Sequence, residues 1–114
     1  MCMKDRRTEP RVLCADMVDV SWREGSRRRR AMGLLEDISE SGACFQMESP
    51  VPVGAELEWR CPGGDFKGIV RYCVYREIGY FAGIQFSPGC RWSRRIYRPQ
   101  HLLDPARLAA ALRD

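Results

Sequence analysis

The chain has 114 residues and a mass of 13.1 kDa, which is room for one compact domain with one core and excludes a large multi-domain enzyme. With 45% hydrophobic and 30% charged residues it can fill a core and cover it, which excludes wholesale disorder and fibrous repeats, and no stretch reaches the ~18 consecutive apolar residues of a membrane span. Nineteen Lys and Arg against 15 Asp and Glu give a charge of +4, and the charged start is unlike a signal peptide, so the expected compartment is the cytoplasm.

Residues 1–11 are polar, with Pro10 discouraging a helix across Glu9, and read as an arm ahead of the domain. From 12 to 22 the chain is rich in β-formers. Val12, Cys14, Val18, Val20 and Trp22 share one parity, interrupted by Asp16, which predicts a strand. Arg23-Glu24-Gly25-Ser26 supplies a turn, and residues 29–36 run back as a second strand. Asp37-Ile38-Ser39-Glu40-Ser41-Gly42 forms a tight polar corner before a third strand, 43–47, in which Ala43, Phe45 and Met47 alternate. Pro50, Pro52 and Gly54 mark a loop. A fourth strand, 56–61, sets Leu57, Trp59 and Cys61 against Glu56, Glu58 and Arg60. Pro62-Gly63-Gly64-Asp65 turns the chain into 66–75, with Phe66, Val70, Tyr72 and Val74 expected on one side, and residues 76–79 turn it again into 80–86. Beyond Ser87-Pro88-Gly89 a basic, aromatic stretch leads to Asp104-Pro105, an N-cap followed by proline at the first helical position. A helix over about 105–113 is expected to dock through Leu108, Ala111 and Leu112, helped by Leu102 and Leu103. Short strands with turn-rich connections must hide both sheet edges, and closure does so most simply. The predicted fold is therefore all-β, a six-stranded antiparallel β-barrel over 12–87, preceded by the arm 1–11 and followed by an extension, 88–114, carrying the helix.

Seventeen of the nineteen cations are Arg, clustered at Arg6, Arg7 and Arg11, at 27–30, and at Arg91, Arg94, Arg95 and Arg98. Arginine suits forked phosphate contacts and stacking on flat rings, so a phosphate-bearing partner is expected. The run 27–30 reads as a solvated or partner-facing patch, and Trp22, Trp59 and Trp92 as core or lid. The six cysteines include no C-x-x-C pair, and His101 is the one histidine. That leaves no ready ligand set for zinc and points to buried thiols acting as small hydrophobes.

Taken singly, Arg6, Arg7 and Arg11 read as a charged tail, and Asp37, Ser39 and Gly42 as shapers of a turn. Taken in order they form Arg7-x-x-x-Arg11, with an additional Arg6, then 25 intervening residues, then Asp37-x-Ser39-x-x-Gly42. This resembles the PilZ domain signature, R-x-x-x-R followed by (D/N)-x-S-x-x-G. Gly79-Tyr80-Phe81-Ala82-Gly83-Ile84-Gln85-Phe86 resembles the family's closing strand, so the likeness spans about residues 5–87. It implies a six-stranded barrel that binds the bacterial second messenger cyclic di-GMP at Arg6, Arg7, Arg11, Asp37, Ser39 and Gly42. The residue types suit such a ligand. Arginines can clamp phosphate or fork onto guanine N7 and O6, and Asp37 can accept from guanine N–H groups or a ribose hydroxyl. Ser39 adds a hydroxyl, and Gly42 lacks the Cβ that would hold a ligand away from backbone amides. In the family an arginine just ahead of the R-x-x-x-R accompanies capture of a stacked ligand dimer, which Arg6 implies here.

Gly63-Gly64-Asp65-Phe66 is reminiscent of the G-G-D-E-F of cyclases that make this messenger, but it lacks the Glu and falls in a predicted hairpin turn. No nucleophile and base pair for hydrolysis is visible. The expectation is a non-enzymatic cyclic di-GMP receptor whose arm closes over the ligand and switches conformation. It has no metal or cofactor and acts on a downstream protein partner. Two alternatives are a small barrel that binds nucleic acid through 27–30 and 91–98, and a PilZ-like adaptor that binds only protein.

Overall fold

The computed structural model describes residues 11–61, 64–93 and 95–99. Six strands form: β1 (Arg11–Glu24), β2 (Arg27–Ser39), β3 (Gly42–Met47), β4 (Glu56–Cys61), β5 (Gly64–Arg76) and β6 (Gly79–Phe86). They close in the order β1-β2-β3-β6-β5-β4, and every neighbouring pair is antiparallel. The all-β barrel is thus as expected, while the expected helix at 105–113 and the arm residues before Arg11 lie outside the described residues.

Alternation builds the core. In β1 the inward positions are Val12, Val18, Val20 and Trp22, which are buried, with half-buried Cys14 and Asp16 between them. Leu57 and Trp59 answer them from β4, Phe66 and Val70 from β5, Phe45 from β3 and Phe86 from β6. Trp59 sits at the centre: Phe45 meets it edge-on with centroids 4.7 Å apart, while Phe66 stacks at 5.5 Å. Such aromatic pairs add about 0.5–1.5 kcal/mol beyond the area they bury. β1 and β2 are joined by a two-residue turn in which Gly25, at φ +63°, holds the first central position, as a type II′ hairpin requires.

Two strand readings need correction, both for reasons of pairing. β2 begins at Arg27 and runs through Ser39, so the polar corner is ladder except for Glu40 and Ser41. In β5 a register shift between Val70 and Tyr72 reverses the alternation. Tyr72 then pairs with Gly83 and faces outward, while Cys73, opposite buried Ala82, turns toward the core. The same shift leaves Val74 on the outer face, 38% exposed, rather than beside Phe66.

After β6 the chain folds back under one end of the barrel. Trp92 and Tyr97 are buried, the Trp92 indole N–H donates to the Tyr97 carbonyl at 2.7 Å, and the Tyr97 hydroxyl donates to Asp16. Asp16, which breaks the apolar parity of β1, is therefore the anchor for this plug. Cys14, Cys61, Cys73 and Cys90 are free thiols.

Candidate ligand-binding site

Register brings the two sequence motifs together. Val12 pairs with Ile38 and both are buried in the core, so their ladder neighbours Arg11, Leu13, Asp37 and Ser39 project from the outer face. Arg11 lies opposite Ser39, and Asp37 opposite Leu13, which makes Arg11 and Asp37 diagonal neighbours. One terminal guanidinium nitrogen of Arg11 donates to both carboxylate oxygens of Asp37 at 3.0 Å, with the side chains only 11% and 9% exposed. The rest of the guanidinium fork can donate elsewhere.

A bulge makes this possible. Leu35 is in the core, and strict alternation would send Glu36 out and Asp37 in. Glu36 is instead an extra residue against β3, where Leu35 pairs with Phe45 and Asp37 with Cys44. The strand thereby delivers Asp37 outward and Ile38 inward. The Glu36 carboxyl is held above its ordinary value, first by burial and then by the adjacent Asp37 charge.

Ser39 is buried and its hydroxyl donates to the Gly42 carbonyl over a long 3.4 Å, spanning the Glu40-Ser41 turn. Gly42 opens β3 opposite Gln85 of β6. The row below runs Leu13, Asp37, Cys44, Gly83, Tyr72 across five strands. The Tyr72 ring lies so close over Gly83 that a Cβ there would come within 2.1 Å of it. Arg71, displaced by the β5 bulge, donates through Nε to Gln85 at 2.7 Å. The described part of the site thus offers an acceptor and a cation at Asp37 and Arg11, a face without a side chain at Gly42, and a second cation at Arg71. Arg6 and Arg7 lie outside the described residues. Arg71 and Gln85 were not found from sequence, because only the bulge sets Arg71 beside Gln85.

The corner is also tied to the plug. The Glu40 carbonyl accepts from the Trp92 amide at 3.1 Å, the Ser41 carbonyl accepts from Phe86 at 2.8 Å, and Arg91 pairs with the Glu40 carboxylate at 3.1 Å. That ion pair is exposed and contributes little, whereas the backbone bonds fix the position of the turn. Beneath it, burial pushes the Cys61 thiol up to about 11, opposed by hydrogen bonding from Tyr97 and Trp59. The Tyr97 phenol is raised by burial and then by its bond to Asp16, and Cys14 by burial and then by the Asp16 charge. Among the described residues no three His, Cys, Asp or Glu side chains converge as a metal site requires.

A separate groove of about 350 Å³ lies nearer the β1–β2 turn, where β1 is flanked by β2 and β4, between Arg28, Arg30, Ser21, Asp19, Glu58 and Arg60. Its charges alternate across the strands, with Asp19 opposite Arg60 and Ser21 between Arg30 and Glu58, the pattern of a solvated sheet face.

The PilZ domain family model matches residues 5–97. Among solved structures the chain is similar to the PilZ domain with c-di-GMP of YcgR from Escherichia coli, with a TM-score of 0.56 and 17% identity, covering 74% of this chain and 82% of that one. It is also similar to the inhibitor of motility MotI/DgrA from Bacillus subtilis, with a TM-score of 0.51 and 15% identity over 96% of this chain and 49% of that one. No curated protein sequence matches. At these identities the structural likeness establishes the barrel fold alone.

Proposed function

The chain belongs to the PilZ domain family, and from that premise we propose that it is a cyclic di-GMP receptor that binds the messenger on the outer face of β1, β2 and β3. The observation that carries this reading is the Arg11–Asp37 pair, which joins the last arginine of R-x-x-x-R to the first residue of D-x-S-x-x-G at 3.0 Å. Arg11 then donates to a phosphate or to guanine N7 and O6 with the rest of its fork, and Arg6 and Arg7 complete the clamp. Asp37, repelled by phosphate, accepts from the guanine N–H edge, and the bare backbone at Gly42 admits the ligand closely. Binding switches the protein by drawing the arm residues onto the corner, with a downstream protein as the recipient. No catalytic step is assigned to any residue.

The test is selectivity. Asp37→Ala is expected to loosen discrimination between cyclic di-GMP and cyclic di-AMP by about 10-fold or more, the worth of a hydrogen bond to a charged group. Competition between the two dinucleotides for the parent and the variant measures it. Unchanged selectivity would leave Asp37 only a structural partner of Arg11.

A further inference from the structure

Cys44 stands apart from the other described cysteines. It pairs with Asp37 of β2 and with Gly83 of β6. Its neighbour Ala43 pairs with Ile38 in the core, so Cys44 shares the outward parity of Asp37, yet it is fully buried. It is also disulfide-bonded. Cys14, Cys61, Cys73 and Cys90 are free thiols, and the sequence holds one further cysteine, Cys2, four residues ahead of Arg6.

We propose that Cys2 is the partner of Cys44 and that the pair is a redox latch, fastening the segment that carries Arg6 and Arg7 across the Asp37–Gly42 corner. Chain geometry allows it. A disulfide holds its two Cα atoms within about 7 Å, which sets residue 2 close to the ladder partner of Asp37. Arg11 pairs with Ser39 and Cys44 with Asp37. The two ends of the intervening segment are therefore two strand spacings and two residues apart, roughly 12 Å. Residues 3–10 reach up to roughly 30 Å when extended. The bond closes without tension, and the strip between its ends is the Asp37–Ser39 stretch of β2. Arg6 and Arg7 fall in the middle of the loop so formed.

Oxidation needs an acceptor of two electrons, for which a small-molecule disulfide such as oxidised glutathione is the right class. One cysteine thiolate attacks a sulfur of that disulfide and expels a glutathione thiolate. The second cysteine thiolate attacks the protein sulfur of the mixed disulfide, forming the Cys2–Cys44 bond and expelling the second glutathione thiolate. Two protein thiols are oxidised, one disulfide is reduced to two thiols, and the two protons pass to the departing thiolates. In a reducing compartment such a bond forms and breaks with the thiol poise and acts as a switch rather than a permanent staple. The latch itself rests on the cysteines alone, whereas its effect on affinity rests on the cyclic di-GMP reading. Fastening the segment removes part of its ordering entropy before the ligand arrives, so the oxidised chain binds the dinucleotide more tightly.

The test uses the full chain, oxidised with oxidised glutathione or reduced with dithiothreitol. After the remaining thiols are alkylated in urea, tryptic cleavage after Lys4, Arg30 and Arg60 is expected to release residues 1–4 joined to residues 31–60 from the oxidised chain only. Brief digestion of the native chain is expected to cut after Arg6 and Arg7 at least about tenfold more slowly when it is oxidised. Cys2→Ser should abolish both differences without altering any strand residue, and Cys90→Ser should abolish neither. Calorimetry is expected to show at least about tenfold tighter binding of cyclic di-GMP by the oxidised chain. Recovery of Cys2 as an alkylated thiol after oxidation, a link from Cys44 to any other cysteine or to a second chain, or equal cleavage rates with the bond in place would each overturn the latch. Heat from neither form would count against the cyclic di-GMP reading and leave the linked peptide to decide the latch, whereas equal affinity in both forms would remove its effect on binding.

Discussion

At Arg11 and Asp37 the groups proposed to bind ligand are also groups that hold the fold. Both are nearly buried, so removing either leaves the other desolvated without its partner. Arg11→Ala is expected to cost about 1–3 kcal/mol of stability in urea unfolding, and Arg11→Ala with Asp37→Ala is expected to recover part of that loss. An unchanged midpoint for the single variant would mean that the pair does not form in solution. Glu36 acts in the opposite sense. Its folded pKa is raised from 4.5, so the folded state holds this proton more tightly than the unfolded chain does. The resulting stabilisation is full below pH 4.5 and is lost as pH rises through the folded value. Glu36→Gln should therefore be more stable than the parent at neutral pH, with the difference closing at acidic pH. A difference that is the same at both pH values would contradict the assignment.

Among the elements, hydrophobic alternation was readable wherever a strand kept one parity, as in 56–61, and misread wherever a bulge changed it. The bulge at Glu36 and the one near Arg71 leave no mark in residue type, since Glu and Arg are as ordinary on a regular outer face as at an extra residue. They nevertheless decide that Asp37 faces outward beside Arg11 and that Tyr72 covers Gly83. Asp16 shows the converse: its break in the apolar pattern was visible, but its partner Tyr97 lies 81 residues along the chain in a segment with no periodicity. Tyr97→Phe should destabilise the protein by about 1–3 kcal/mol by removing the phenol donor to the Asp16 carboxylate. Tyr97→Phe combined with Asp16→Leu should be much less costly, and simple additivity of the two changes in a double-mutant cycle would show that the pair is not coupled. Burial at the same barrel end also protects a thiol. A Cys61 value of about 11 against 9.0 leaves about a hundredfold less thiolate at mildly alkaline pH, so alkylation of Cys61 should be slower in the native protein than in urea. Equal rates would place Cys61 in solvent.

For the whole molecule, composition and strand count sufficed to predict a closed β-barrel, because six short strands have few other ways to hide their edges. They did not predict where each ladder stops: among the described residues the β2–β3 ladder ends at Leu34 and the β4–β5 ladder at Ile69. The exposed run 27–30, which sequence alone left as a patch, has β1 as its one ladder partner among the described residues, and charge at such an edge discourages unwanted pairing. This weakens the reading of the run as a nucleic-acid contact, which would show as binding to any oligonucleotide with a steep salt dependence. The measurement that bears most directly on the account is calorimetric titration of the parent and a folded Arg11→Ala variant with cyclic di-GMP, beside a random oligonucleotide at moderate salt. The account predicts saturable heat from the dinucleotide with the parent, a loss of at least about tenfold in affinity with Arg11→Ala, and little heat from the oligonucleotide. Equal affinity of parent and variant for the dinucleotide, or tighter binding of the oligonucleotide, would contradict it.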